Sequence, residues 1–239
     1  MFFLMAFSVV VAYFAKGLSG FANTLIFSTI MSFAVPNSDI SPIELILGSP
    51  SNWAIIWKER KSIHVKLWLP VALTMMVGAI PGMLLLKNGS PQTIKAIFGA
   101  TVVFLGVEML LRALSTKKQR PNRFAQAAIG LFAGAMCGLF GIGALLAAYF
   151  SRTTEDAASF RGNLCMVFLT ENIYRTIAYA YLGILTVDVL WTVLKLAPFM
   201  LLGLFLGMKC AGRIREATVR RIIIALLIFS GLSLLLLNL

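Results

Sequence analysis

Residues 124–150 read FAQAAIGLFAGAMCGLFGIGALLAAYF, an uncharged run interrupted by the glycine cluster GLFGIG at 138–143. A membrane-crossing helix needs about 20 apolar residues, so this run has length to spare for one crossing. Its flanks argue against a crossing. The preceding segment 112–123 carries Arg112, Lys117, Lys118, Arg120 and Arg123. The segment 209–221, two apolar runs further on, carries Lys209, Arg213, Arg215, Arg220 and Arg221. Short basic segments of this kind stay in the cytoplasm. Three crossings between the two segments would separate them; two crossings plus a run that enters and leaves by one face keep both inside. Each limb of such a hairpin is about 13 residues, or ~20 Å at 1.5 Å per residue. That reaches past the midplane without crossing. The expectation is a re-entrant hairpin over 124–150 with its tip at GLFGIG.

The remaining apolar runs cover roughly 1–34, 42–57, 67–86, 94–114, 162–182, 188–208 and 222–238. Run 1–34 is too long for one span and is broken by Gly17, Ser19 and Gly20, so it forms an equivalent hairpin or two short spans. Either way its crossings are even in number and the N-terminus lies outside. The segment 58–66, with Lys58, Arg60, Lys61 and Lys66, is then cytoplasmic, as is 151–161. Sixteen of the 21 Lys and Arg residues fall in cytoplasmic segments; Lys87 and Lys95 are outside, and Lys16, Arg175 and Lys195 are in or near the membrane.

Composition supports lipid as the solvent. The 239 residues are 59% hydrophobic and 13% charged, against about 25% charged in soluble domains. The net charge of +12 does not mark a nucleic-acid binder, because the cations sit in short segments between apolar runs. The N-terminus lacks the basic start of a signal peptide, Lys16 being its first cation, and reads as mature sequence. Cys137, Cys165 and Cys210 form no CxxC motif and read as membrane-embedded thiols. His64, the only histidine, lies in a basic loop, which excludes HExxH metal chemistry and a Ser-His triad. Trp53, Trp57, Trp68 and Trp191 read as interfacial or packing aromatics. No enzyme, metal or cofactor is expected.

The second half echoes the first. With a shift of 125, Gly78, Gly82, Met83 and Gly106 fall on Gly203, Gly207, Met208 and Gly231. With a shift of 118, Gly20-Phe21 falls on Gly138-Leu139, and with a shift of 120, Asn52 falls on Asn172. The segment 87–95 is outside and its counterpart 209–221 inside, so the halves run in opposite senses across the bilayer. The expected architecture is an all-α polytopic membrane protein, one transmembrane domain over 1–239. Its two inverted repeats, about 1–114 and about 124–239, each hold a broken or re-entrant helical hairpin followed by three transmembrane helices. Inverted repeats with broken helices characterise many secondary transporters, which bind substrate near the midplane.

The paired breaks KGLSGFANT and CGLFGIGA, the short basic loop before IHVKLWLPVALTMMVGAIPG, and its weaker copy LTVDVLWTVLKLAPFMLLGLFLG together resemble the TauE/SafE family of sulfite and organosulfur-anion exporters. The resemblance covers essentially the whole chain. It implies an exporter of a small anion, such as sulfite, a sulfonate or a small carboxylate, in a bacterial inner membrane. Expected partners are that anion, the lipid bilayer, a coupling proton or sodium ion, and a second copy in a homodimer. An anion channel and a non-transporting subunit of a larger complex are the alternatives.

An anion at the midplane needs donors. Free N–H groups at half-helix ends supply them, and glycine lets backbone approach a ligand. Gly17, Ser19, Gly20, Gly138, Gly141 and Gly143 are therefore candidate substrate contacts; packing of helices through small residues is the competing reading. Asn23, Asn52 and Asn172 offer uncharged donors, or else interhelical hydrogen bonds. Intramembrane charge is costly and marks function. Lys16 and Arg175 are candidates for the anion, and Glu171 for a coupling proton. Glu171 and Arg175 stand one helical turn apart, so a structural pair is equally consistent. Lys195 reads as snorkelling or paired, and Glu108 as structural.

The topology is testable by labelling of introduced cysteines. Lys118→Cys, Asp156→Cys and Arg215→Cys should react from the cytoplasmic side, and Ser90→Cys from the outside. Reaction of the 156 variant from outside would remove the hairpin over 124–150.

Overall fold

A computed structural model describes residues 1–113 and 123–210, together with Ala225 and Ile228. The described chain is helical, with no strand among the described residues. In order come α1 (Phe2–Ser19), α2 (Asn23–Met31), α3 (Asn37–Glu59), a 3-10 turn (Arg60–Ser62), α4 (Val65–Asn88), α5 (Pro91–Ala113), α6 (Arg123–Phe140), α7 (Ala144–Thr153), α8 (Ala157–Tyr181) and α9 (Val187–Cys210). Run 222–238 lies outside the described residues apart from Ala225 and Ile228, as do most of the basic segments 112–123 and 209–221.

Both expected breaks are present, with altered limbs. Run 1–34 divides into helices of 18 and 9 residues, and run 124–150 into helices of 18 and 10. The limbs are thus ~27 Å and ~15 Å long, where two equal limbs of about 13 residues were expected. The helix carries on through Gly138, because an isolated glycine costs only about 1 kcal/mol inside a helix. It stops at Gly141, which takes the left-handed conformation at φ 73°, as Gly20 does at φ 84°. Each of these glycines donates its N–H to the carbonyl four residues back, Lys16 O and Cys137 O, at 2.7 Å. The geometric counterpart of Gly20 is thus Gly141, 121 positions on, and not Gly138. The short run 42–57 is a 23-residue helix, because Pro36 precedes its first turn and the polar stretch from Asn37 joins it.

Packing is reciprocal. The first helix of each half lies against the fourth helix of the other: α1 against α9, and α6 against α4. Glycine permits both crossings. A β-carbon on Gly78 or Gly82 would collide with the carbonyls of Leu131 or Ala135. One on Gly203 or Gly207 would collide with Val10 or Phe14. In return, a β-carbon on Gly138 would collide with Ala79 O, and one on Gly17 would stand 2.6 Å from Leu204 O. Positions 125 apart on α4 and α9 thus meet positions 121 apart on α1 and α6.

Helices α3 and α8 pack against each other in the middle. They bury Glu44, Asn52, Glu171, Asn172 and Arg175. Among the described residues three helices, α1, α4 and α9, are long and apolar enough to cross a membrane. Their outer faces leave large side chains exposed, among them Leu73, Val77, Leu84, Leu194, Leu201 and Phe205. A continuous apolar exterior of this kind requires lipid as its solvent. Cys137, Cys165 and Cys210 are free thiols.

The crossings set a stability prediction. Gly82→Ala and Gly207→Ala each place a β-carbon against a carbonyl, and each should cost about 1–3 kcal/mol, read as a lowered thermal midpoint in detergent. Lipid-facing Leu201→Ile should change it little. A loss at only one of the two glycines would break their equivalence.

Candidate functional site

The two breaks open onto one small, partly open cavity. Lys16 enters from α1; Ala22, Asn23 and Thr24 come from the first break, and Gly141 and Gly143 from the second. Glu44, Gly48 and Asn52 line it from α3, and Phe168 and Asn172 from α8. Helix α2 starts after Ala22 and α7 after Gly143, and no side chain caps either start. The first N–H groups of a helix have no intrahelical acceptor. Two positive helix ends therefore border the same space.

The side chains around it are buried and polar. Lys16 is 1% exposed, and its Nζ donates to Asn52 Oδ1 at 2.7 Å. Asn23 Nδ2 donates to Glu44 Oε1, and Asn172 Nδ2 donates to Ser49 Oγ at 3.2 Å. Gly48 keeps the α3 wall low: a β-carbon there would stand 3.4 Å from Asn172 Nδ2 and 3.5 Å from Glu44 Oε1. A β-carbon on Gly141 would stand 3.3 Å from Glu44 Oε2 and 3.4 Å from Arg175 Nη1. The second break thus separates a carboxylate from a guanidinium.

Arg175 and Glu171 are both fully buried, with Nη1 3.5 Å from Glu171 Oε1. The same Nη1 donates to Cys137 O, and the guanidinium lies 5.2 Å from the Tyr179 ring centroid. Among the described residues, Arg175 Nε and Nη2 and both Glu171 oxygens lack a hydrogen-bond partner. Tyr179 Oη donates to Gly138 O at 3.0 Å. The end of α6 is therefore held by two side chains of α8.

Of the residues singled out by sequence, Lys16, Asn23, Asn52, Gly141, Gly143 and Asn172 line the cavity. Gly17 and Gly138 sit in the helix crossings described above. Ser19 Oγ lies 2.8 Å from Ala15 O and 2.9 Å from Phe21 O, committed to its own turn. Gly20 packs under the Arg161 side chain, which pairs with Glu59 at 2.9 Å. Lys195 is exposed on α9, and the Glu108 side chain is outside the described set. Glu44 escaped the sequence reading, although it is the single acidic residue within run 42–57 and is 4% exposed in the fold.

A family model described as Sulfite exporter TauE/SafE matches residues 4–234. A relative from Cupriavidus necator, described as a probable sulfite/organosulfonate exporter TauE, is 25% identical over 169 residues. That alignment covers 69% of this chain and 66% of the relative, so the chain spans just under two thirds of the relative's length. No solved structure matches the chain.

The buried pair yields a prediction. Arg175→Ala strands the Glu171 carboxylate and should cost about 3–5 kcal/mol, read by thermal unfolding. Adding Glu171→Ala should restore part of the loss. A double variant no more stable than Arg175→Ala would show that neutralising Glu171 is not what Arg175 does.

Proposed function

The chain belongs to the TauE/SafE sulfite exporter family, and from that premise we propose that it is a secondary transporter exporting a small anion: sulfite, a sulfonate or a small carboxylate. It is an integral membrane protein, as its family and its apolar helices require. The observation that carries the anion reading is the convergence of two uncapped helix starts, at Ala22 and Gly143, with the Lys16 ammonium on one cavity. Backbone N–H groups and positive helix ends hold an anion without the desolvation cost of a further buried cation. Lys16 supplies long-range charge. The amides of Asn23, Asn52 and Asn172 supply direction and shape. Arg175, beside Gly141, reaches the anion from α8 or shapes the second break through Cys137 O. Gly17, Gly20 and Gly138 serve the site by letting the helices around it approach closely, and Ser19 by fixing the first turn.

We read the two halves, about 1–114 and about 124–239, as inverted repeats. The reciprocal crossings of α1 with α9 and α4 with α6 support this, as do the matched left-handed glycines. Each half then holds a broken hairpin and three transmembrane helices, the last span of the second half being run 222–238. Such a frame permits alternating access, with one half rocking against the other about a central site. The N-terminus lies outside a bacterial inner membrane, and Glu171 serves first as the counter-ion of Arg175.

Purified protein and proteoliposomes test this. Sulfite and methanesulfonate should raise the thermal midpoint, because a ligand stabilises only a fold that binds it. Uptake should saturate and be accelerated by anion on the far side. Lys16→Met should weaken binding about tenfold or more, equal to at least ~1.4 kcal/mol. Gly141→Leu should insert and fold but not transport. Flux linear in concentration without acceleration would make the protein a channel, and no binding by any of these anions would end the anion reading.

A further inference from the structure

We infer that Glu44 is a proton site within the cavity, and that anion and proton bind there together, one for one. The inference rests on the anion reading of the cavity and assigns it a coupling residue.

Charge neutrality is the first argument. The buried side chains of this region include two cations, Lys16 and Arg175, and two carboxylic acids, Glu44 and Glu171. With both acids ionised the four groups sum to zero. A monoanion entering the cavity adds an uncompensated negative charge where the dielectric constant is low and Coulomb energies are large. Protonation of one carboxylate removes that charge.

Geometry selects which carboxylate. Glu171 stands one turn from Arg175 on the same helix, pairs with it at 3.5 Å, and is not among the residues lining the cavity. Glu44 does line it, and it accepts hydrogen bonds from neutral groups, the Asn23 amide and the Thr24 hydroxyl. Glu44 faces Tyr13 and Lys16 of α1, Asn23 and Thr24 of α2, Cys137 of α6, and Glu171 and Arg175 of α8. The ammonium of Lys16 is committed to Asn52.

Donor competition is the second argument. Ionised, Glu44 is itself an anion and holds the Asn23 amide, one of the donors an incoming anion needs. When hydronium from the aqueous phase protonates the carboxylate, the carboxyl O–H bond forms as a hydronium O–H bond breaks, leaving water. The neutral carboxyl holds the Asn23 amide less firmly, and its new O–H becomes a further donor. Anion and proton each favour binding of the other, and by linkage the coupling is reciprocal. Between the pH at which Glu44 titrates in the empty protein and the higher pH at which it titrates with anion bound, anion affinity should fall about tenfold per pH unit.

The test uses the full-length protein in detergent, with methanesulfonate and sulfite as probes. Methanesulfonate takes up no proton of its own near neutrality, and that of sulfite is subtracted. Titration calorimetry in two buffers of different protonation enthalpy counts protons taken up per anion bound. One is expected for the wild type and for the double variant Glu171→Gln with Arg175→Gln, which removes one charge of each sign and leaves the sum of the buried charges unchanged. None is expected for Glu44→Gln, which keeps an oxygen for Asn23, and its affinity should no longer vary with pH. If Glu44→Gln does not fold, infrared difference spectra decide. A carboxylic acid C=O band that appears on anion addition in both the wild type and the double variant supports Glu44. Its loss in the double variant moves the proton to Glu171 and overturns the inference. Anion binding by the wild type without proton uptake also overturns it, leaving the anion reading intact. No binding of either probe by the wild type overturns both.

Discussion

A helix that begins inside a membrane protein, away from water, leaves its first N–H groups without partners. Helices α2 and α7 both begin that way, behind Ala22 and Gly143 and without side-chain caps. Much of the remaining architecture follows from where these two starts must be held. The full-length helices ahead of them, α1 and α6, are fixed by glycine-mediated contact with α9 and α4. The central helices α3 and α8 then bring polar side chains to the breaks. They contain 23 and 25 residues and carry more polar and charged side chains than the apolar helices α4 and α9. Apolar helices outside and polar-bearing helices inside are two parts of one solution to satisfying backbone at depth.

The ends of the leading helices need the same care. At the close of α6, Cys137 O receives both the Gly141 N–H and the Arg175 guanidinium, and Gly138 O receives the Tyr179 hydroxyl. Residues on one face of α8 thus fasten the second break from the side, a turn apart. At the other end of α8, Asn163 Oδ1 accepts the His64 N–H at 2.8 Å, and Arg161 pairs with Glu59. This ties the α3–α4 corner to the same helix. Helix α8 is therefore both wall and clamp, which explains why a charged pair is tolerated in its buried middle.

Much of this was legible in the sequence. Glycine clusters inside over-long apolar runs marked both breaks, since lipid-embedded helices seldom interrupt themselves without cause. Lys16 and Asn52, intramembrane polar residues 36 positions apart, were singled out separately and form a direct hydrogen bond. The end of α6 was not legible to the residue. GLFGIG offers three glycines, and only three-dimensional packing shows that Gly138 stays helical under Ala79 while Gly141 turns. The left-handed glycines Gly20 and Gly141 are 121 positions apart, where the sequence match of Gly20 with Gly138 has 118. Glu44 was missed because a single carboxylate in IELIL reads as one blemish in a hydrophobic run. What gives it meaning is Asn23, 21 positions away on another helix.

The correspondence between the halves fails at one telling place. Position 121 on from Lys16 is Cys137, so one leading helix carries an ammonium where the other carries a thiol. The missing positive charge is supplied in part by Arg175, borrowed from α8 and pointed at the Cys137 carbonyl. In a carrier whose halves exchange roles on each cycle, identical halves would give inward- and outward-facing states of equal energy. With Lys16 on one side only, the two states cannot be degenerate. Under the alternating access proposed above, the unloaded protein would have a preferred resting orientation, and its half-saturation concentrations would differ on the two faces of the membrane. Such a carrier is kinetically rectified: gradients still set the direction of net flow, while the lone lysine sets which face waits for cargo.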